Sequence, residues 1–295
     1  MSLSRIYAMM ILCALFWSGA FIAGKLAIRE FAPNSLTFFR FLIALPFIFV
    51  IAAKWNRGSL LPTARQWPPL IALGLIGTFA YHVLFFSSLQ FTSAVNSSLI
   101  GSTLPMVTAL LAMLFLGEKI TWLRAFGIVL AFSGILLVVI NGDIEVLRAF
   151  HLNPGDALML AAVCSWAVYS ILCRRFMTDY ALSPLMITAY TFLVCTAAAL
   201  PFTIWETSLA ELARVSGSGW LAVAYMAIFA SVLGYLFQLI AVERIGPSRT
   251  AIFVNLVPVF TMIQSPLLLH EPVSLLKVTS GAIIIAGVYL TTRTK

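Results

Sequence analysis

Charge is scarce in this sequence. Of 295 residues, 18 are Lys or Arg and 10 are Asp or Glu, 9% in all; soluble domains carry roughly 25%. Hydrophobic residues make up 62% and mean hydropathy is +1.04. This excludes an ordinary soluble fold, a disordered chain and a soluble enzyme on a lone-helix anchor, and leaves lipid as the bulk solvent. The formal net charge of +8 would suggest nucleic acid in a soluble protein. Here it becomes a question of where few charges sit across a bilayer, and no nucleic-acid partner is expected. The four cysteines, Cys13, Cys164, Cys173 and Cys195, fall in apolar stretches without CxxC spacing. They read as packing residues rather than metal ligands or disulfides. No Asp or Glu stands near the middle of an apolar run, so a buried proton-carrying carboxylate is missing. HExxH, GxSxG and clustered intramembrane acids are also missing, and neither an enzyme nor a cofactor is expected.

What is present is a succession of apolar runs. A helix crossing about 30 Å of hydrocarbon needs roughly 20 apolar residues. Ten segments meet that length: 6–28, 34–53, 68–89, 94–116, 121–140, 155–174, 183–204, 219–242, 249–269 and 274–291. Short connections carry the turn residues, among them Asn153-Pro154-Gly155 and Gly246-Pro247. The first run does not read as a signal peptide, because Lys25 and Arg29 follow it without a small-residue cleavage site. With alternate connections assigned to opposite sides, twelve Lys and Arg fall on the side holding both termini and five on the other. That bias puts both termini in the cytoplasm and the chain in a cell (inner or plasma) membrane.

The halves resemble each other. A shift of 153 residues brings Trp67 onto Trp220, Pro105 onto Pro258, Leu116 onto Leu269, Glu118 onto Glu271 and Gly134 onto Gly287. A shift of 149 brings Trp17 onto Trp166. Ala44-Leu45-Pro46-Phe47 recurs as Ala199-Leu200-Pro201-Phe202. Residues 1–145 and 146–295 thus read as two repeats. Each holds an odd number of spans, so the second enters the membrane upside-down. Transporters use such inverted repeats to exchange inward-open and outward-open shapes around a central site.

The motifs that carry a family resemblance are Phe16-Trp17-Ser18-Gly19, Phe39-Arg40-Phe41, Leu104-Pro105 through Glu118, and Val257-Pro258 through Glu271. On these the chain resembles the drug/metabolite transporter superfamily, in its ten-span group with two EamA-type repeats. Within that group it is similar to bacterial exporters of amino acids, especially aromatic ones. The resemblance implies an all-α fold with ten spans around a cavity between the halves, lined by spans 1, 3, 4, 6, 8 and 9. The four-helix small multidrug relatives carry a Glu in their first span; this chain has none before Glu30.

Several side chains suit such a cavity. At 1.5 Å per residue, Trp17 lies roughly 16 Å into the first span and Trp166 about as far into the sixth from the other face. Both are too deep for the interfacial belts where most membrane tryptophans sit. Tyr169 lies one turn from Trp166 on the same face. Tyr81 and His82 lie deep in the third span, where a polar group faces a bundle interior or a wet cavity. Ser98, Ser102 and Asn255 can donate to a substrate carboxylate or amide; the alternative is that such groups bond their own helix backbone or glue neighbouring helices. Gln238, Gln264 and Asn96 are weaker candidates. Pro105 and Pro258 remove backbone bonds inside spans and read as hinges or gates against a static bend. Arg40 and Lys25 lie toward outer span ends, where snorkelling or structural pairing is favoured over attraction of a departing carboxylate. Glu118 and Glu271 read as helix caps or ion-pair partners.

The sequence therefore predicts a facilitated or weakly coupled exporter of neutral or aromatic amino acids, or similar zwitterionic metabolites, working by alternating access. Its partners are the small-molecule substrate and the bilayer, and it reads as a monomer with a homodimer as the alternative. An exchanger of phosphorylated or nucleotide-linked metabolites would need several deep cations. A membrane scaffold would leave the inverted repeat without a purpose.

Overall fold

The computed structural model describes residues 2–55, 60–116, 121–141, 143, 153–245 and 253–292. Among these no strand occurs and helices account for nearly every residue. Eight helical stretches are long and apolar enough to cross a membrane, and two shorter apolar helices follow. In chain order they are α1 (Leu3–Ala27), α2 (Pro33–Trp55), α3 (Trp67–Phe91), α4 (94–116), α5 (Trp122–Ile140), α6 (Pro154–Asp179), α7 (Pro184–Glu206), α8 (217–245), α9 (Leu256–Leu268) and α10 (Leu275–Thr292). Their positions follow the hydrophobic runs closely. Glu118 and the expected start of the ninth span at 249–252 lie outside the described residues.

The helix starts are explained locally. Ser93, Thr121, Ser183 and Ser216 stand at N-caps, each side-chain oxygen accepting from the backbone N–H three residues on. Such bonds satisfy donors that helix ends leave open. Asn153 caps α6 with Pro154 behind it, in keeping with proline's missing donor and preset φ. Glu30, outside the spans, accepts from Ser216 N (2.6 Å) and Oγ (2.7 Å). These bonds tie the end of α1 to the start of α8 and hold the Glu30 carboxyl below the usual carboxylate range.

Four irregularities interrupt the helices. α3 passes through a π-helical segment at Gly74–Ala80 and α8 through another at Met226–Leu233. The shift of 153 residues carries the first onto 227–233. α4 stops at Gly101 and resumes at Leu104. Pro105, with no N–H, cannot bond the Gly101 carbonyl. A matching break falls at Asn255, just before α9, where Pro258 stands at the equivalent position. Pro46 and Pro201 lie within α2 and α7 without ending them.

α5 and α10 pack face to face. A Cβ at Gly127 would stand 2.6 Å from Thr291 N and 2.7 Å from Gly287 O; one at Gly287 would strike the Ala131 backbone. Small residues on both helices thus allow direct backbone approach. Gly134 shares this seam, against Ile284, whereas Gly281 faces Leu99 of α4. Overpacking a close contact costs about 1–3 kcal/mol, and here backbone, which cannot swing aside, is the obstacle. Gly287→Val should therefore lower the monodisperse fraction in detergent size-exclusion chromatography well below that of Gly281→Val.

Candidate functional site

The central cavity measures about 140 Å³ and is enclosed by α1, α2, α3, α4, α6 and α8 together with the residues around the Asn255 break. Large aromatic side chains are prominent in its wall. Trp17 comes from α1, Tyr81 and Phe85 from α3, Trp166 from α6 and Tyr235 from α8. Tyr81 and Trp166 meet at 4.8 Å between ring centroids, and Tyr235 stands edge-on to Trp166 at 6.0 Å and to Trp17 at 6.3 Å. Two tryptophans far apart in the chain thus share one cavity.

The π segments place these rings. A π turn leaves carbonyls without their usual i+4 partners, and side chains of other helices bond two of them. Trp17 Nε1 donates to Ala230 O at 3.0 Å, and Ser165 Oγ to Ile76 O at 2.6 Å. Close approach is needed on both sides. A Cβ at Gly234 would stand 2.5 Å from Trp17 Nε1, and one at Gly77 would fall inside the Tyr169 ring. Immediately past the first π segment, His82 is buried against the Phe41 ring at 4.7 Å. Its Nδ1 lies 2.7 Å from Thr78 O. A carbonyl only accepts, so Nδ1 carries the proton and Nε2 is the ring's acceptor.

Of the residues expected to bind substrate, Trp17, Tyr81, His82, Ser98, Ser102 and Trp166 line the cavity. Tyr169 does not; its ring packs against Trp166, tilted, at 5.0 Å between centroids. Asn255 is also outside the lining, and its buried Oδ1 has no hydrogen-bond partner among the described residues. Ser98 and Ser102 donate to Val95 O (2.8 Å) and Leu99 O (2.7 Å) in their own helix. Their protons are spent there, so only their oxygens face a ligand, as acceptors. Thr103 does the same with Ile100 O. Pro105 and Pro258 stand beside the two helix breaks, next to the lining residues Leu104 and Val257. Tyr235, Phe85 and Gln238 also line the cavity. Of these, the sequence offered a weak signal for Gln238 and none that separated Tyr235 from other aromatic residues.

Arg40 departs most from expectation. Favoured for snorkelling or structural pairing, it is only 4% exposed and lines the cavity. Nε donates to Ser231 Oγ at 2.9 Å, and the guanidinium carbon lies 5.5 Å from the Phe41 centroid and 5.8 Å from that of Phe86. The contacts that meet it there are the Phe41 ring of α2 itself, the Phe86 ring of α3 and the Ser231 hydroxyl of α8.

A second, more open pocket of about 470 Å³ gathers where α1, α3, α5 and α9 end and α4, α6 and α10 begin. It holds Lys25, Asp156, Glu271 and Lys277. Lys25 is structurally paired: Nζ donates to Leu89 O (2.5 Å) and Thr92 O (2.7 Å), the orphan carbonyls at the end of α3. Glu271 caps α4, accepting from Ala94 N at 3.1 Å and from Ser265 Oγ at 2.7 Å. Asp156, which no motif in the sequence singles out, accepts from Thr92 Oγ1 at 2.6 Å. The cysteines are free, and Cys13 donates to Gly234 O. No metal-holding group of His, Cys, Asp or Glu occurs among the described residues.

The model of the EamA-like transporter family matches the chain twice, over residues 4–140 and 153–293. The chain belongs to this family. The uncharacterized transporter YyaM of Bacillus subtilis (strain 168) is 33% identical over 284 residues, covering 96% of this chain and 92% of that protein. An uncharacterized transporter of Archaeoglobus fulgidus is 32% identical, covering 98% of both chains. The protein named "Probable terminal-alkyne amino-acid exporter" from Streptantibioticus cattleyicolor is 25% identical, covering 99% of this chain and 95% of that one. A solved crystal structure matches with a TM-score of 0.67 at 21% identity, over 98% of this chain and 96% of that one. The fold is therefore shared. This EamA-family chain is a multi-pass membrane transporter protein, and a small-molecule substrate and membrane lipid follow from the family.

The Trp17–Ala230 bond can be tested on this family member directly. Trp17→Phe keeps a ring but removes the donor to the Ala230 carbonyl, and losing such a hydrogen bond costs about 0.5–1.5 kcal/mol. The detergent-purified variant should unfold several degrees below the unaltered protein in a thermal melt. An unchanged midpoint would mean the bond contributes nothing.

Proposed function

We propose that the chain is an alternating-access exporter of small carboxylate-bearing metabolites, neutral and aromatic amino acids among them. In this reading residues 1–145 and 146–295 are inverted five-span halves, both termini are cytoplasmic, and the cavity is exposed to each side in turn. The observation that carries it is the shared aromatic cavity, to which the first half contributes Trp17 and Tyr81 and the second Trp166 and Tyr235. The π segments and helix breaks support it further, since they fall at positions related by the repeat. Apolar walls with a few polar anchors suit an amphipathic small molecule. The terminal-alkyne amino-acid exporter among the relatives supports the same substrate class. Among the described residues no Asp or Glu lines the cavity, which favours facilitated or weakly coupled movement over cation/proton exchange. Arg40 is its one lining cation among them. That is fewer than a phosphorylated or nucleotide-linked metabolite needs.

Substrate binding is assigned here to Trp17, Tyr81, His82 and Trp166, with Ser98 and Ser102 as acceptors and Tyr169 and Asn255 supporting the wall and the break. Counterflow of labelled phenylalanine in proteoliposomes, with and without a pH gradient, tests the reading. Trp17→Ala and Trp166→Ala should each lower the initial rate about tenfold or more, a loss of roughly 1–3 kcal/mol of contact, while membrane insertion persists. Normal rates in both would remove the site. Pro105 and Pro258 act as hinges in this reading. Pro105→Ala restores the donor missing at the α4 break, so it should slow turnover by about tenfold with half-saturation changed less than about threefold. Unchanged kinetics would leave the break a static bend.

A further inference from the structure

The cavity has a charge content as well as a shape. Arg40 is a guanidinium that stays charged in any protein environment. It is buried, and among the described residues that enclose the cavity with it there is no Asp or Glu. Among the described residues its one hydrogen bond is from Nε to the neutral Ser231 hydroxyl. Its ring neighbours Phe41 and Phe86 offer only aromatic faces. The two Nη atoms thus bring four N–H donors and a whole positive charge to a site whose other polar groups are neutral. A cation desolvated in this way, with no carboxylate beside it among the described residues, is one of the costlier arrangements inside a membrane. A planar carboxylate is the complementary group: it cancels the charge and accepts two parallel N–H bonds from the fork.

The amino end of an amino acid meets a different environment. An ammonium needs anions or several acceptors. The cavity offers Ser98 and Ser102 oxygens, the Gln238 amide and aromatic faces, none of them anionic. The occupied cavity is electrically neutral with a monoanion, keeps an uncompensated positive charge with a zwitterion, and carries two with a cationic ligand. Resting on the transport reading of this cavity, we propose that Arg40 is its carboxylate-binding residue, and that the site prefers small aromatic or apolar monocarboxylates to zwitterionic amino acids of the same shape.

An isosteric series tests this on the full-length protein: 3-phenylpropanoate (monoanion), phenylalanine (zwitterion) and phenylalaninamide (cation). Two readouts are used, quenching of tryptophan fluorescence in detergent and competition against labelled phenylalanine in counterflow. In the unaltered protein, 3-phenylpropanoate should bind about tenfold more tightly than phenylalanine, and phenylalaninamide about tenfold more weakly, as expected for gaining or losing one charged contact. Arg40→Met should compress the series to within about threefold, and Arg40→Lys should keep its order with a smaller spread. Equal binding of the three, or an unchanged ranking in Arg40→Met, overturns the proposal while phenylalanine transport leaves the exporter reading intact. Failure of all three to bind and of phenylalanine to move would overturn both. Should Arg40→Met not fold, the ranking in the unaltered protein and in Arg40→Lys still decides.

Discussion

Hydrocarbon offers a polar group no partner, so every N–H, C=O and charge in a spanning segment must be satisfied within the protein. Most of each helix meets that constraint through the regular backbone ladder, and buried hydroxyls such as Thr188, Thr196 and Thr203 of α7 meet it by bonding the carbonyl four residues back. The rule is relaxed in one region. Two π segments and two helix breaks adjoin the central cavity, and in each π segment a side chain from another helix bonds a carbonyl, Trp17 that of Ala230 and Ser165 that of Ile76. Irregular backbone at membrane depth is tolerated only where protein or a cavity covers it, so these interruptions mark the site independently of its side chains.

The helices divide into two groups. α5, α7 and α10 contribute nothing to the cavity wall. α5 and α10 approach backbone to backbone through Gly127, Gly134 and Gly287, and α7 lies along α2. They form a frame, whereas the four irregularities all fall in or beside helices that line the cavity. In the second pocket Lys25, Asp156 and Glu271 are bonded to residues at the ends of α3 and α4 and between them. The same helices are thus held at their ends and interrupted at their middles, an arrangement that lets the interior change shape while the ends stay connected. On the proposed reading, that is the mechanical basis of alternating access.

Much of this was legible in the sequence. Long apolar runs are unambiguous in a chain with 9% charge, because lipid demands a fixed span length. Pro105 announced the α4 break because a missing N–H has only one backbone consequence. Trp17 and Trp166 were conspicuous because their depth contradicts the usual tryptophan belt. Helix rotation was not legible. When nearly every face is apolar, periodicity does not say which face turns inward. Arg40 therefore read as an outer-end residue although it points into the cavity, and Tyr235 was not distinguished from other aromatics. The π segments defeated spacing arguments further, since each shifts the helical register of the residues beyond it. Ser98 and Ser102 were found at the cavity, but which way their protons point is a matter of local geometry and not of residue type.

Alternating access requires that one cavity between the two halves communicate with both sides of the membrane. This is tested most directly by a single cysteine at Ser102, in a background with Cys13, Cys164, Cys173 and Cys195 replaced. A membrane-impermeant thiol reagent is applied separately to right-side-out and inside-out vesicles. Labelling from either face is the predicted result, slowed in both cases by a bound substrate. Labelling from one face alone, however long the exposure, would contradict it.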